Sequence, residues 1–292
     1  MLKIAAAQYS LKKHSTLEDF KTNAEVWVKG ACSKKARLLV FPEYGSIELV
    51  SLLTEEVQKD LLGQLLEIQN LRDEFIQCYS DLAQKYDVYI VAPSFPWKEE
   101  EDVFINRAFF FRPDGTHSYQ DKQMMTRFED EDWKVSSPFT REINVFDVDG
   151  VKVGISICFD IEFPDFSREL ALKGAEVILA PSCTETLAGM NRVHVGARAR
   201  ALENQLFVVV AQTVGDVDYS EAIDRNTGMA AVYSTCDLGF PDDGIITQGK
   251  LNQPGWVFME IDPDLIEQVR SKGNVLNFKK MKGLCPNMPH SN

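Results

Sequence analysis

The chain alternates short, densely apolar runs with longer stretches whose apolar positions recur every three or four residues. Leu2–Gln8 reads as a buried first strand. Thr16–Lys34 places Leu17, Phe20, Ala24, Val26, Trp27 and Ala31 on one broad face, the spacing of an amphipathic helix. Leu38–Phe41 is a second buried strand, stopped by Pro42. The pattern then predicts helical stretches over Ile47–Glu67 and Leu71–Tyr86 and a strand at Val88–Ala92. Two hairpins follow. Arg107–Phe111 and Ser118–Lys122 flank Pro113-Asp114-Gly115-Thr116, and Ile143–Val148 and Val151–Ile157 flank Asp149-Gly150. Beyond them come helices at Phe163–Lys173 and Met190–Asn204. Strands are expected at Val177–Ala180, Phe207–Ala211, Ala230–Ser234 and Trp256–Ile261.

Strands alternating with helices argue for an α/β fold, and the hairpins exclude a purely parallel sheet. No Gly-, Ser- or Pro-rich linker divides the chain, so one domain is expected over residues 1–271. Residues 272–292 carry little pattern and read as a tail that wraps the body or a neighbouring subunit.

Composition narrows the setting. The 292 residues are 45% hydrophobic and 26% charged, an ordinary globular mixture that excludes a mainly disordered or collagen-like chain. Lys and Arg number 31 against 44 Asp and Glu, a net charge of −13. That balance argues against nucleic acid or anionic lipid as the main partner. Six scattered cysteines without a CxxC pair, no signal-peptide core and no long apolar span set the expectation of a cytoplasmic protein with reduced thiols.

Three segments place a reactive side chain where a buried run ends. In LLVFPE, Glu43 follows four apolar residues; it is either a solvated strand-end carboxylate or a buried one with a raised pKa. In SYQDK, Lys122 closes a strand before an acidic, aromatic loop, and a surface lysine is the plain alternative. In VKVGISICFD, Cys158 sits at a strand-to-helix turn. Backbone N–H groups there lower a thiol pKa and can form an oxyanion hole, although a buried structural thiol fits as well. Cys32 and Cys78 lie within predicted helices and read as structural. The histidines (His14, His117, His194 and His290) lack a recognisable context for a Cys–His pair. Without HExxH, a Walker loop or a Rossmann fingerprint, neither metal nor cofactor is expected.

Taken together, Glu43, Lys122 and Cys158 resemble the nitrilase superfamily of carbon–nitrogen hydrolases. The likeness is carried by FPEYGS, YQDKQMMTRFEDEDW and GISICFDIEFPDFSREL, supported by GAEVILAPS and RARALENQLFVVVAQTVG. It runs from Lys3 to about Ile261. The resemblance implies a four-layer αββα sandwich with a Glu43–Lys122–Cys158 triad acting through a thioester, and Lys122 with the backbone N–H of Phe159 holding the oxyanion. It also implies a second glutamate in the loop after the lysine. Relatives place that residue seven before a glycine; counting back from Pro138 favours Glu131, with Glu129 second. Cys158-Phe159-Asp160 is similar to amidase-type branches, whereas nitrilases proper carry Cys-Trp-Glu.

The chain departs from the family pattern at Pro138, at Met229-Ala230 in place of a serine-bearing turn, and in a long 236–249 connection. Asp160 and Arg168 are expected to support the site, Arg168 by reaching Asp160 or nearby carbonyls. Arg198, Arg200, Glu203 and Asn204 read as structural. The cavity is expected to be lined by Cys183–Met190 and by 236–249. The resulting expectation is hydrolysis of a small carboxamide to acid and ammonia by a homodimer or higher homo-oligomer. Acyl transfer and nitrile hydrolysis are the enzymatic alternatives, and a non-catalytic binding protein is the remaining one.

Overall fold

The computed structural model describes residues 1–284. Its first half runs β1 (Leu2–Ser10), α1 (Leu17–Cys32), β2 (Leu38–Val40), α2 (Glu55–Gln58), α3 (Leu61–Glu67), α4 (Arg72–Tyr86), β3 (Tyr89–Val91), β4 (Phe95–Glu100), β5 (Val103–Phe111) and β6 (His117–Asp121). The second half runs β7 (Val145–Val148), β8 (Val151–Ile155), α5 (Pro164–Leu172), β9 (Val177–Ser182), α6 (Leu187–Asn204), β10 (Phe207–Asp216), β11 (Arg225–Asn226), β12 (Ala231–Tyr233), β13 (Ile245–Gln248), β14 (Gly255–Ile261), α7 (Asp264–Lys272) and α8 (Asn277–Leu284).

Local chemistry explains several boundaries. Thr16 caps α1 by accepting the Asp19 N–H, while Asp19 accepts the Thr16 N–H, a reciprocal box that starts the helix. Thr186 caps α6 through the Gly189 N–H, so the helix begins at Leu187, three residues ahead of the start that periodicity predicts. The stretch 47–67 is not one helix. It is a 3₁₀ segment at Gly45–Leu52 followed by two short helices, each restarted by a cap, Thr54 and Asp60.

The strands follow the order β4-β5-β3-β2-β1-β10-β9-β8-β7, with β6 on β5, β14 on β1, and β12 on β10. Parallel pairs (β1 with β2, β9 with β10) and antiparallel ones (β5 with β6, β7 with β8) make the sheet mixed. The β1–β10 seam is confined to the strand ends, Gln8 to Ser10 against Gln212 to Val214. Alternate positions of β1 therefore enter different layers. Ala5, Ala7 and Tyr9 join the core under α1 and α4, whereas Ile4 and Ala6 join the core shared with β7–β10. Between the sheet halves Phe110 stacks on Phe146 at 4.7 Å. On the far side α5 approaches β8 so closely that a Cβ on Gly154 would lie 2.6 Å from Leu170. This is the αββα sandwich.

Besides the broken 47–67 stretch, further elements depart from the sequence reading, among them the short β11. β4 and β13 lie where no strand is expected, and β13 occupies the long 236–249 connection. α7 and α8 give structure to residues 264–284. The described part of the tail folds back on its own chain: Asn277 donates to the Leu202 carbonyl, and the Phe278 N–H to Gln205. Residues 285–292, including Cys285 and His290, lie outside the described residues.

Candidate active site

Glu43, Lys122 and Cys158 each stand just beyond the end of a strand (β2, β6 and β8) and meet in one buried cavity of about 280 Å³. Cys158 opens a 3₁₀ turn, Cys158–Glu162, with a left-handed φ of +48°. A non-glycine residue in that region carries strain, and such residues gather at functional sites. Tyr44, beside Glu43, is also left-handed at +54°.

The Lys122 ammonium is 1% exposed and lies between two carboxylates. It donates to Glu43 Oε1 at 2.8 Å and to both oxygens of Glu129 at 2.8 and 2.6 Å. Glu129 also accepts from the Thr126 N–H and hydroxyl and from the Tyr44 hydroxyl. Glu43 accepts from Asn106 at 2.8 Å and, through Oε2, from the Cys183 N–H at 2.9 Å. The Cys158 thiol approaches the Cys183 carbonyl at 3.6 Å.

Electrostatics separate the two glutamates. Burial pushes the Glu43 pKa above its ordinary value, Lys122 opposes this, and the Glu129 charge adds to the rise. Burial pushes Glu129 the same way, but Lys122, Thr126 and Tyr44 outweigh it and hold its pKa low. Burial disfavours the Lys122 ammonium, and the two carboxylates more than restore it, so its pKa lies well above that of a free lysine. Cys158 is also pushed well up, by burial first and by Glu43 second. Contrary to the effect expected of a strand-to-helix turn, the neighbouring N–H groups do not make this thiol acidic. Its pKa stays above the ordinary value beside the Glu43 carboxyl.

Of the two glutamates considered, the structure sets Glu129, the second choice, against Lys122, and Glu131 away from it. Residues 128–133 form one π-helical turn that carries Glu129 and Trp133 inward and 130–132 outward. Glu131 is 57% exposed and pairs with Arg127 at 2.7 Å, whereas Glu129 faces Lys122. The count of seven back from Pro138 lands on Glu131, whereas the residue that the turn carries inward is Glu129, nine before Pro138.

Asp160 is fully buried, and burial pushes its pKa up to about 7. It accepts the Gln123, Met124 and Ile157 N–H groups, tying the loop after Lys122 to the turn that bears Cys158. Arg168 does not reach it: its guanidinium stays on α5, 3.9 Å from Asp165. Phe159 lines the cavity and packs edge-on against Phe163.

Cys183–Thr186 and Gly189 line the cavity as expected, but the 236–249 segment does not; residues 221–225 take that place. None of the described histidines lines it. His14 sits beside Glu48, and His194 lies between Tyr233 and Gln212. Asn106 lies outside every motif, Tyr44 lies within FPEYGS and Cys183 heads the expected lining segment, but their contacts with Glu43 and Glu129 arise only across the fold.

The carbon–nitrogen hydrolase family model matches residues 3–271. A probable hydrolase, YhcX, of Bacillus subtilis is 35% identical over 95% of this chain and 53% of its own, so the chain spans about half that relative's length. A deaminated glutathione amidase of Synechocystis is 26% identical over 91% of this chain and 94% of its own. The crystal structure of a carbon–nitrogen hydrolase from Helicobacter pylori superposes with a TM-score of 0.77, at 19% identity, over 96% of this chain and 94% of that one. With the sandwich, the cavity and a family match over nearly its whole length, the chain belongs to the carbon–nitrogen hydrolase family.

Proposed function

We propose that the protein is a cofactor-independent amidase that cleaves a small linear carboxamide through a thioester on Cys158. The observation that carries this is a buried thiol sharing one cavity with Glu43, whose lysine partner at 2.8 Å is also held by a second glutamate at 2.6 Å. The amidase named among the relatives supports an amide as substrate.

Glu43 takes the thiol proton as sulfur attacks the amide carbon, which avoids a free buried thiolate. The oxyanion forms against the Lys122 ammonium and the Phe159 N–H. Glu43 then gives its proton to the departing nitrogen, and the C–N bond breaks to leave the thioester and ammonia. In the second half Glu43 takes a proton from water, which attacks the thioester carbon. The tetrahedral adduct collapses to the acid, and sulfur recovers the proton.

The wall suits a short substrate: Tyr44, Phe128, Trp133, Val193 and Ile223 enclose the polar floor. At the mouth Arg192 pairs with Glu162 at 3.4 Å and Arg225 with Glu185 at 3.1 Å.

The test is a panel of carboxamides assayed for ammonia release, with Cys158→Ala as control and a competing amine in a parallel arm. At least one amide should be hydrolysed, and Cys158→Ala should abolish its turnover. Retained activity in the variant sinks the mechanism. A transfer product forming in preference to the acid would replace hydrolysis by acyl transfer.

A further inference from the structure

We propose that Asn106 is a positioning residue that decides which oxygen of Glu43 carries the proton during turnover. The inference rests on the reading above, in which Glu43 is the base.

Asn106 is fully buried on β5 and reaches two members of the site at once. Its main-chain carbonyl accepts the Lys122 N–H at 2.9 Å, setting the residue that bears the ammonium. Its side-chain Nδ2 donates to Glu43 Oε1 at 2.8 Å, the same oxygen that receives the Lys122 ammonium at 2.8 Å. Oε1 thus faces two donors. Oε2 accepts the Cys183 N–H at 2.9 Å, and the Cys158 thiol is a further side-chain partner of this carboxylate. A carboxylate oxygen offers about two lone-pair sites. Those of Oε1 are occupied, and Oε2 keeps one open. The proton leaving Cys158 therefore settles on Oε2, and Oε1 remains the carbonyl oxygen of the acid.

The orientation of the amide is informative. Asn106 Oδ1 is buried and has no hydrogen-bond partner among the described residues. Buried polar atoms are normally paired, so an orphan asks for an explanation. Turning the amide over would set Oδ1 against Oε1, two acceptors face to face. The donor faces the base, and the bare oxygen is the consequence.

The titratable and charged groups around Glu43 are Lys122 beyond β6, Glu129 in the π-helical turn, Cys158 beyond β8, Cys183 beyond β9 and the adjacent Tyr44. Against that background Asn106 supplies the neutral side-chain donor to the ionised form. Without it Glu43 would bind its proton more readily, and any rate that needs the carboxylate would begin to fail at higher pH.

The experiment follows iodoacetamide alkylation of Cys158 by mass spectrometry as a function of pH, together with kcat and KM for the best amide. It compares the unmodified protein with Asn106→Leu and Asn106→Asp. Asn106→Leu should lower kcat about 10- to 100-fold, the usual worth of a hydrogen bond to a charged group, with KM nearly unchanged. Its acid limb should move up by about one pH unit in both turnover and alkylation. Asn106→Asp keeps the shape, sets a second carboxyl beside Glu43, and should move the limb further. If Asn106→Leu does not fold, the Asp variant carries the test; failure of both to fold replaces positioning by a structural role. Folded variants with an unmoved acid limb overturn the proposal. Turnover surviving Cys158→Ala overturns the nucleophile instead, while the alkylation profile, which needs no substrate, still judges Asn106.

Discussion

A carboxylate beside an ammonium stays ionised and makes a poor base unless another anion answers the ammonium's charge. Glu129 provides that anion. Both its oxygens accept from Lys122, and Thr126 and Tyr44 add further donors. Two glutamates sharing one lysine are thereby pushed apart in pKa, and in the proposed reaction one stays the counterion while the other moves the proton. Glu129→Gln should lower kcat by about two orders of magnitude, the scale of losing a preorganised charged contact. Glu131→Gln, at an exposed ion pair, should leave steady-state kinetics unchanged. The opposite ranking would return the role to Glu131. Glu43, Lys122 and Cys158 stand out in the sequence because each ends a β run, but each has a plain structural alternative there, and only the family resemblance joins them. Choosing between Glu129 and Glu131 was not possible there, since adjacent acids have the same composition and only the turn decides which one faces inward.

At the scale of elements, the site depends on how two loops are tied. Asp160 accepts N–H groups from the loop after β6 and from its own turn after β8, so it sets the distance between Lys122 and Cys158. Asp160→Ala leaves those N–H groups without their acceptor and loosens that spacing. We expect kcat to fall by at least about tenfold, the sensitivity shown by reactions that rely on positioning. Unchanged steady-state kinetics in a folded Asp160→Ala protein would remove Asp160 from the supporting set. The helices α1, α4, α5 and α6 and both hairpins were legible, being determined by local spacing and turn residues, whereas 47–67 breaks into short capped pieces. β4 was not, because FPWKEE runs from buried to exposed and has no sustained alternation. α7 was missed for a related reason: Pro263 offers no side-chain cap, and only Ile266 and Val269 are buried.

Across the whole molecule, the sandwich is what brings separate strand ends to one point. Its inner layer must hold both halves of the sheet in register, and the Phe110–Phe146 stack lies in that layer. Phe110→Ala should cost about 3–5 kcal/mol of stability, read as a lowered urea midpoint. A loss below about 1 kcal/mol would show that the inter-sheet layer repacks freely. The sequence by itself determined the α/β class, the positions of most strands and helices, and the three side chains at strand ends, because periodicity and turn chemistry act between near neighbours. It also carried the family likeness. Only the tertiary structure decided that Glu129 meets Lys122, that Asn106 holds Glu43 from 63 residues away, and that residues 221–225 close the cavity. Burial, hydrogen-bond partners and pKa are set by groups brought together through folding, and no local pattern encodes them.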